Sequence, residues 1–178
     1  MDSEHRFIVE TPRLGMRPLM WDDRLALSCI LRDPEVMYAW KHGFSEAEVD
    51  EWMRRRMEEY QAYGNFGYWA LILKGTGALI GQCGVTLQEV WGRPVPEVAY
   101  LLGKEYWHRG YATEAAQAVK SYAFETLGFP AVYSLIRDTN LPSIRVAERN
   151  GMKKAGEIMK HYQGKGMLHI VFKIKNSE

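Results

Sequence analysis

The sequence has few of the features that mark disulfide-rich, metal-binding or membrane proteins. Its 178 residues include only two cysteines, Cys29 and Cys83, which form neither a CxxC pair nor a cluster with the histidines. This spacing fits neither a disulfide framework nor a zinc site, so we expect no metal, and two free thiols are typical of a reducing cytosol. The N-terminus lacks the apolar core of a signal peptide, and no run reaches the ~18 apolar residues of a membrane helix. We therefore predict a soluble, cytoplasmic protein with no membrane partner.

The sequence also has no excess of positive or negative charge. Lysine and arginine number 23 and aspartate and glutamate 22, which gives a formal net charge of +1. A general nucleic-acid binder carries a strong basic field, so nucleic acid is not an expected partner, although a local basic patch for a phosphorylated cofactor stays open. The composition is that of an ordinary globular protein, and no repeat or linker divides the chain. Residues 1–178 are therefore predicted to form a single domain.

Hydrophobic periodicity alternates between the patterns of strands and helices. Ser45 and Glu48 form a capping box before the second helix, and Gly151 is predicted to end the last helix in the left-handed conformation. The apolar residues of the first helix are expected to share one buried face, formed by Leu25, Ala26, Cys29 and Ile30. The predicted helices cover residues 22–31, 45–63, 112–127 and 141–150. The predicted strands cover residues 14–19, 68–73, 78–87, 97–102, 132–137, 158–162 and 168–174.

The order of these elements defines the fold class. A strand–helix–strand unit over residues 97–137 requires a right-handed crossover between parallel strands, whereas the hairpins before it are antiparallel. We therefore predict an α/β (α+β) fold with a mixed, mostly antiparallel sheet of about six to seven strands. A central parallel pair lies in this sheet, and helices cover both of its faces.

Residues 97–116, EVAYLLGKEYWHRGYATEAA, are the most informative about chemistry. A strand ends at Leu102, and a helix begins directly after Gly110 and Ala112, two small residues that let a ligand approach the backbone. The free amides of residues 108–113 and the helix dipole form an anion cradle, to which Arg109 adds a positive charge. The segment contains neither the GxxxxGK of a nucleotide P-loop nor the GxGxxG of a dinucleotide site. A pyrophosphate site of another kind is therefore indicated.

Three stretches, in this order, resemble the GNAT superfamily of N-acetyltransferases, and in particular its ribosomal-protein-acetyltransferase-like (Rim-type) branch. They are ETPRLGMRPL, YWHRGYATEAAQAVKSYAFETLG and RDTNLPSIRVAERNGM, and the resemblance covers residues 8–174. One position departs from the superfamily pattern. Trp107 stands three residues before the glycine, where Gln or Arg is usual.

The resemblance implies a GNAT-like fold in which the central parallel strands are splayed. Acetyl-CoA would lie in the V between the strand that ends at Leu102 and the strand 132–137, where unpaired backbone groups can bind its pantetheine arm. Asn140 is, in addition, a suitable N-cap for the helix that follows it. The cofactor-binding residues implied by the resemblance are Tyr100, Leu101, Leu102, His108, Arg109, Gly110, Tyr111, Ala112, Thr113, Asn140, Ser143 and Arg145.

Direct attack of an amine on a thioester requires a neutral amine, a donor for the oxyanion and a proton for the leaving thiolate. Ser143 is the candidate proton donor. Glu97 is the candidate base, acting directly or through water, although a glutamate at a strand end can also be a solvated surface residue. Glu114, in a first helical turn, is expected only to favour the helix dipole. Trp40 is the candidate residue at the rim of the acceptor pocket.

Two functions from different classes remain in view. The first is transfer of an acetyl group from acetyl-CoA to a primary amine, either a protein N-terminus or a small molecule. The second is a regulatory module that binds acyl-CoA without transfer, for which Ser143 and Glu97 would not be needed. The sequence leaves open the acceptor, the identity of the base, the use of other acyl groups and the oligomeric state, a homodimer included.

Overall fold

The computed structural model describes residues 6–177, which form one eight-stranded sheet in the order β1-β2-β3-β4-β5-β6-β8-β7. Every neighbouring pair is antiparallel except β5 and β6, which are parallel. The predicted mixed sheet with a central parallel pair is confirmed. The strands are β1 (Val9–Glu10), β2 (Leu14–Arg17), β3 (Tyr68–Leu73), β4 (Ala78–Val90), β5 (Arg93–Leu102), β6 (Ala131–Arg137), β7 (Lys153–Tyr162) and β8 (Lys165–Lys175).

The predicted number of strands was too low. The sheet has eight strands rather than six to seven, and the strand absent from the sequence prediction is the two-residue β1. Two residues are too few for an alternating pattern to be recognised, so β1 is identified only by its pairing with β2.

Four α-helices cover the two faces of the sheet, as predicted. They are α1 (Arg24–Leu31), α2 (Glu46–Tyr63), α3 (Tyr111–Glu125) and α4 (Leu141–Arg149). Helices α1 and α2 pack on one face, and α3 and α4 pack on the other. The capping box before α2 is present, because Ser45 Oγ accepts from Glu48 N and Glu48 Oε2 accepts from Ser45 N. Among residues 6–177, no helix is both long and apolar enough to cross a membrane.

The predicted buried face of α1 was wrong in part. Of the four predicted residues only Ile30 is buried, since Leu25 is 77% exposed and Ala26 and Cys29 are exposed. Leu27 and Leu31 are fully buried instead. Helix α1 has the sequence RLALSCIL, so apolar residues occur on nearly every side of it. Periodicity alone could not select the buried side, and packing against the sheet selected it.

Alternation along β5 determines what each face of the sheet presents near its parallel pair. Val98 and Leu102 belong to the core beneath α3 and α4, whereas Leu101 belongs to the core beneath α1 and α2. Glu97 precedes Leu101 by four residues, and side chains alternate with a period of two along a strand. Glu97 therefore faces α1 and α2, on the side of the sheet opposite α3.

Candidate active site

The two parallel strands form a fork. Strands β5 and β6 share a single ladder pair, Glu97 with Tyr133. Beside this pair, side chains take over the hydrogen bonds that a continued ladder would make. Ser134 Oγ donates to the carbonyl of Val98 at 2.9 Å, and the amide of Leu135 donates to Glu97 Oε1 at 3.1 Å. Because these groups are satisfied without strand pairing, the strands can separate towards Leu102 and Arg137 and leave a V-shaped opening.

Glu97 lies at the base of this fork and is 9% exposed. The alternative of a solvated strand-end glutamate is therefore wrong, because β5 begins four residues earlier than predicted, at Arg93. Thr86 Oγ1 donates to Glu97 Oε2 at 3.2 Å, so both carboxylate oxygens are bound within the sheet. Burial raises the pKa of Glu97, although nearby Lys160 and the bonds from Leu135 and Thr86 oppose the rise. Such a carboxyl group exchanges protons closer to neutral pH than an exposed one.

The predicted anion cradle lies at the N-terminus of α3. His108 and Gly110 both have left-handed backbone conformations, with φ of 59° and 80°, and they turn the chain sharply into the helix. Within the described chain, the backbone amides of residues 108–113 donate to no protein group. Six free amides at the positive end of a helix dipole fit a bound diphosphate such as that of a CoA molecule.

A brace from the start of the chain holds this loop. Glu114 accepts hydrogen bonds from Thr11 Oγ1 at 2.6 Å and from Arg13 Nε at 2.6 Å. Arg13 Nη1 also donates to the carbonyl of Arg109 at 3.0 Å, and its guanidinium stacks 4.5 Å from the Tyr111 ring centroid. Burial alone would raise the pKa of Glu114, but the hydrogen bonds from Thr11 and Arg13 outweigh it and lower the pKa. Arg13 carried no recognisable signal in the sequence, because its partners lie about 100 residues away along the chain.

Trp107, which replaces the usual Gln or Arg of the superfamily, connects the loop to the end of β5. Its indole Nε1 donates to the carbonyl of Leu102 at 2.9 Å. Trp107 thus orients a residue whose main chain is expected to contact the cofactor. The backbone amides of the cradle are unaffected by this exchange of a polar side chain for an indole.

The start of α4 forms the opposite wall of the fork. Asn140 Oδ1 accepts from the amide of Ser143 at 3.2 Å, which confirms the predicted N-cap. The hydroxyl of Tyr100 donates to the carbonyl of Ser143 at 3.0 Å and so joins β5 to α4. Burial raises the pKa of Tyr100, which keeps this hydroxyl protonated. Ser143 is half-buried, and its hydroxyl makes no hydrogen bond to the residues the structure describes.

The bridge from Tyr100 makes it a positioning residue for Ser143. We expect Tyr100→Phe to cost about 1 kcal/mol of stability, because it removes one partly buried hydrogen bond between β5 and α4. A displaced Ser143 should also lower kcat by about tenfold at saturating acetyl-CoA, without changing the pH dependence of kcat. The matched control is Tyr122→Phe, since the Tyr122 hydroxyl donates a similar bond, at 2.7 Å, to the carbonyl of Asn65. Equal values of kcat for the two variants would contradict a positioning role for Tyr100.

The face of the sheet that Glu97 occupies carries an aromatic cluster. Trp40 packs edge-on against Trp52, with ring centroids 5.8 Å apart, and Tyr68 lies 6.0 Å from Trp52 on its other side. The indole of Trp52 donates to Gln82 Oε1 at 2.8 Å. The structure thus places Trp40 on the Glu97 face, away from the cradle on the α3 side.

Two further candidate residues, Leu101 and Arg145, lie beneath α1 and α2 and on the surface of α4, respectively. Leu101 contributes its side chain to the core beneath α1 and α2, so only its main chain can reach the fork. Arg145 is exposed on α4 and makes no hydrogen bond or ion pair to any described residue. Among residues 6–177, no group of three or more His, Cys, Asp or Glu side chains could hold a metal ion.

A sheet forked between two parallel strands, with a cradle of free amides beside it, fits an acyltransferase that takes its acyl group from a CoA thioester. A sequence model of the acetyltransferase (GNAT) domain matches residues 13–153. The uncharacterized protein YkkB of Bacillus subtilis is 33% identical over 151 residues, which cover 84% of this chain and 87% of YkkB. The chain therefore belongs to the GNAT acetyltransferase family, whose members transfer an acetyl group from acetyl-CoA to an amine.

Solved structures share the fold over nearly the whole chain. A GNAT-family acetyltransferase from Bacillus anthracis superposes with a TM-score of 0.79 at 24% identity, covering 96% of this chain and 98% of that one. The ribosomal-protein-S5-alanine acetyltransferase from Vibrio fischeri superposes with a TM-score of 0.76 at 19% identity, covering 95% and 96%. The resemblance to the GNAT superfamily is confirmed, and ribosomal-protein acetyltransferases are among the neighbours in fold.

Proposed function

We propose that this chain is a single-domain, cytoplasmic N-acetyltransferase that moves an acetyl group from acetyl-CoA to a primary amine by direct attack. The observation that carries the proposal is the arrangement around the fork. The amide cradle lies on the α3 side, and the buried carboxyl of Glu97 lies on the α1/α2 side, with the opening between β5 and β6 joining them. Donor and acceptor can therefore approach one reaction centre from opposite faces.

Acetyl-CoA supplies an activated acetyl thioester when bound. The free amides of residues 108–113 would hold its pyrophosphate, and Arg109 would add positive charge. Main-chain groups of residues 100–102 would pair with the pantetheine arm, next to Asn140 and Ser143 at the start of α4. Arg145, which is exposed on α4, would contact the phosphates of the nucleotide.

Glu97 would take the proton from the incoming amine, and Ser143 would give one to the departing thiolate. A lysine-like amine has a pKa of about 10.4, so at neutral pH a base with a raised pKa is well matched to the task of removing its proton. Glu97 has such a pKa, and it is held rigidly by Thr86 and Leu135. Ser143, at the N-terminus of α4, has a hydroxyl that bonds to none of residues 6–177.

The proposed acceptor is a primary amine, either a protein N-terminus or a small molecule. The Vibrio fischeri neighbour, by its name, acts on an alanine of ribosomal protein S5, which supports a protein acceptor by analogy of fold alone. Trp40 and its aromatic cluster would form part of the acceptor's binding surface.

Release of free thiol from acetyl-CoA tests the proposal directly. We expect thiol release that depends on both acetyl-CoA and an amine, when peptides, polyamines and aminoglycosides are each supplied. Tight CoA binding with no thiol release from any amine would instead indicate a regulatory module that binds acyl-CoA without transfer.

Ser143→Ala should separate chemistry from binding. If Ser143 supplies the proton of the leaving thiolate, kcat should fall about tenfold or more, since a general acid acts in the transition state. The dissociation constant of acetyl-CoA should change little. Ser121→Ala is the matched control, because Ser121 is also half-buried on a helix and makes no hydrogen bond through its side chain to the described residues. A Ser143→Ala enzyme with the kcat of the control would remove Ser143 from the proton transfer.

A further inference from the structure

Three cations meet at the open end of the fork without a carboxylate partner. Lys41 follows the short helical turn Tyr38–Trp40, Arg137 ends β6, and Lys165 begins β8. None of the three forms an ion pair within 4.0 Å among residues 6–177. Loss of hydration and the positive charges of Lys165 and Arg137 lower the pKa of Lys41, so the three side chains influence one another. We call Lys41, Arg137 and Lys165 the cationic rim.

The cationic rim is built from contacts between distant segments. Lys41 Nζ donates to the carbonyl of Tyr162 at 3.3 Å, and Arg137 Nη1 donates to the carbonyl of Tyr38 at 3.1 Å. The guanidinium of Arg137 also stacks 4.9 Å from the Tyr38 ring centroid. These neutral partners hold the cations in place but do not cancel their charge. Asp138 follows Arg137 in the sequence, yet it is exposed and pairs with none of the three cations.

The cationic rim lies on the acceptor side of the sheet. Tyr133 pairs with Glu97, and Arg137 is four residues further along β6, so both side chains emerge on the face that Glu97 occupies. Lys41 adjoins Trp40 of the aromatic cluster. A molecule that approaches Glu97 along this face from the open end of the fork would therefore pass the three positive charges.

A second and independent observation also points to a negatively charged ligand, namely buried hydrogen-bond donors that lack acceptors. Gln82 is fully buried on the Glu97 face, and its Nε2 has no acceptor among the described residues. Arg56 Nε is likewise a buried donor without an acceptor there, although the Arg56 guanidinium is ion-paired with Glu59 through Nη1 at 3.0 Å. The same guanidinium lies 4.7 Å from the Trp52 ring centroid. Lys160 adds a further positive charge close enough to Glu97 to affect its pKa. The inside of this face thus offers unpaired donors, and its entrance offers unpaired cations.

We infer that the acceptor is an amine that also carries a carboxylate close to its amino group. This inference rests on the proposed acetyl transfer and narrows its substrate. A carboxylate would neutralise the cationic rim and accept from the unpaired donors, leaving the amine to reach Glu97. A polyamine would place two or more extra positive charges against like charges, which selects against it.

Matched pairs of acceptors test the inference on the wild-type enzyme. The small-molecule pair is methionine and methioninamide, the peptide pair is Ala-Asp-Asp-Phe-amide and Ala-Asn-Asn-Phe-amide, and spermidine is the polycation. We expect the anionic member of at least one pair to have a kcat/KM about tenfold higher, and the advantage to shrink as salt screens the charges. A nearby carboxylate raises the pKa of an amine, so at fixed pH this preference cannot arise from the amount of free amine. Discrimination within one pair only would identify the carboxylate source as a free amino acid or as a peptide side chain.

A pair of double variants separates the cationic rim from net charge. Lys41→Gln with Lys165→Gln should raise KM for the preferred anionic acceptor and reduce its advantage over the neutral partner to about twofold or less, with kcat nearly unchanged. Lys153→Gln with Lys175→Gln removes the same charge from the opposite end of the β7–β8 hairpin, where both lysines are exposed, and should leave the preference intact.

Two outcomes with the wild-type enzyme, and a third with the double variants, would overturn the inference while leaving the proposed function standing. One is equal turnover of both members of each pair, and the other is spermidine acetylation as efficient as that of the best anionic acceptor. Equal loss of preference in the two double variants would also overturn it, because the effect would then follow net charge. Absence of thiol release with every acceptor would instead contradict the acetyl transfer itself.

Discussion

Glu97→Gln is expected to lower kcat/KM by about a hundredfold at neutral pH, which is the low end of what a general base contributes. The loss should shrink as pH rises towards the pKa of the acceptor amine, because free amine then forms without help from the enzyme. The measurement is the pH profile of kcat/KM for wild type and variant with the same acceptor.

Glutamine at position 97 can keep both hydrogen bonds of the glutamate while removing its ability to accept a proton. The carbonyl oxygen of a glutamine can still accept from the Leu135 amide, and its NH₂ group can donate to Thr86 Oγ1, so the fork keeps its geometry. Glu97→Ala removes both bonds and should lose stability as well as activity. A Glu97→Gln enzyme with the wild-type rate and pH dependence would show that Glu97 only clamps the fork, and ordered water or another side chain would then be the base.

The wild-type protein and the Glu97→Gln variant are expected to differ in stability by an amount that depends on pH. The folded-state pKa of Glu97 is raised by burial, so its contribution to stability is fully present below the unfolded-state pKa of about 4.3. That contribution is lost as pH rises through the folded-state pKa, because burying the charged form is costly. We therefore expect the unfolding free energy of Glu97→Gln to increase relative to wild type across this window. Parallel curves for the two proteins would contradict burial of the carboxyl group.

Gly110→Glu is expected to weaken acetyl-CoA binding by at least tenfold, or about 1.4 kcal/mol. Gly110 is in the left-handed conformation, with φ of 80°, at the centre of the amide cradle. A glutamate there would strain the backbone, crowd the cradle and place a negative charge beside the pyrophosphate. Calorimetry with acetyl-CoA on the folded variant measures the change.

A second glycine separates strain from loss of the cradle. Gly64 ends α2 with the same φ of 80°, and no atom lies within 4 Å of where its side chain would begin. Gly64→Glu therefore introduces the same charge and the same backbone strain away from the cradle, and it should bind acetyl-CoA as wild type does. Unchanged affinity in Gly110→Glu, or an equal loss in both variants, would show that residues 108–113 do not hold the pyrophosphate.

Features that depend on near neighbours in the chain could be predicted from the sequence. The capping box of Ser45 with Glu48 and the N-cap at Asn140 each span three residues, and both are present. Gly151 has the expected left-handed conformation, with φ of 79°. The loop from Leu102 to α3 was recognised because small residues and a helix start lie within one short segment. A few adjacent side chains set these conformations, so no knowledge of the rest of the molecule was needed.

Features that depend on long-range register were outside the reach of the sequence. Glu97 was placed at a strand end, yet it is buried, because its partners Thr86 and Leu135 lie 11 and 38 residues away. Arg13 contacts the cradle through Arg109 and Glu114, which lie 96 and 101 residues later in the chain. The face on which α1 is buried could not be read from a helix that is apolar nearly all round.

The sequence by itself determined the order of the helices and of every strand except β1, the parallel crossover and the amide cradle. These features follow from periodicity, turn residues and helix starts. Only the tertiary structure decided what surrounds the fork: the bound carboxyl of Glu97, the bridge from Tyr100 to Ser143 and the cationic rim. The physical reason is that burial, pKa and unpaired charge depend on which distant segments the packed sheet brings together. Local preferences place the backbone of this site, and the environment of its side chains comes from the fold as a whole.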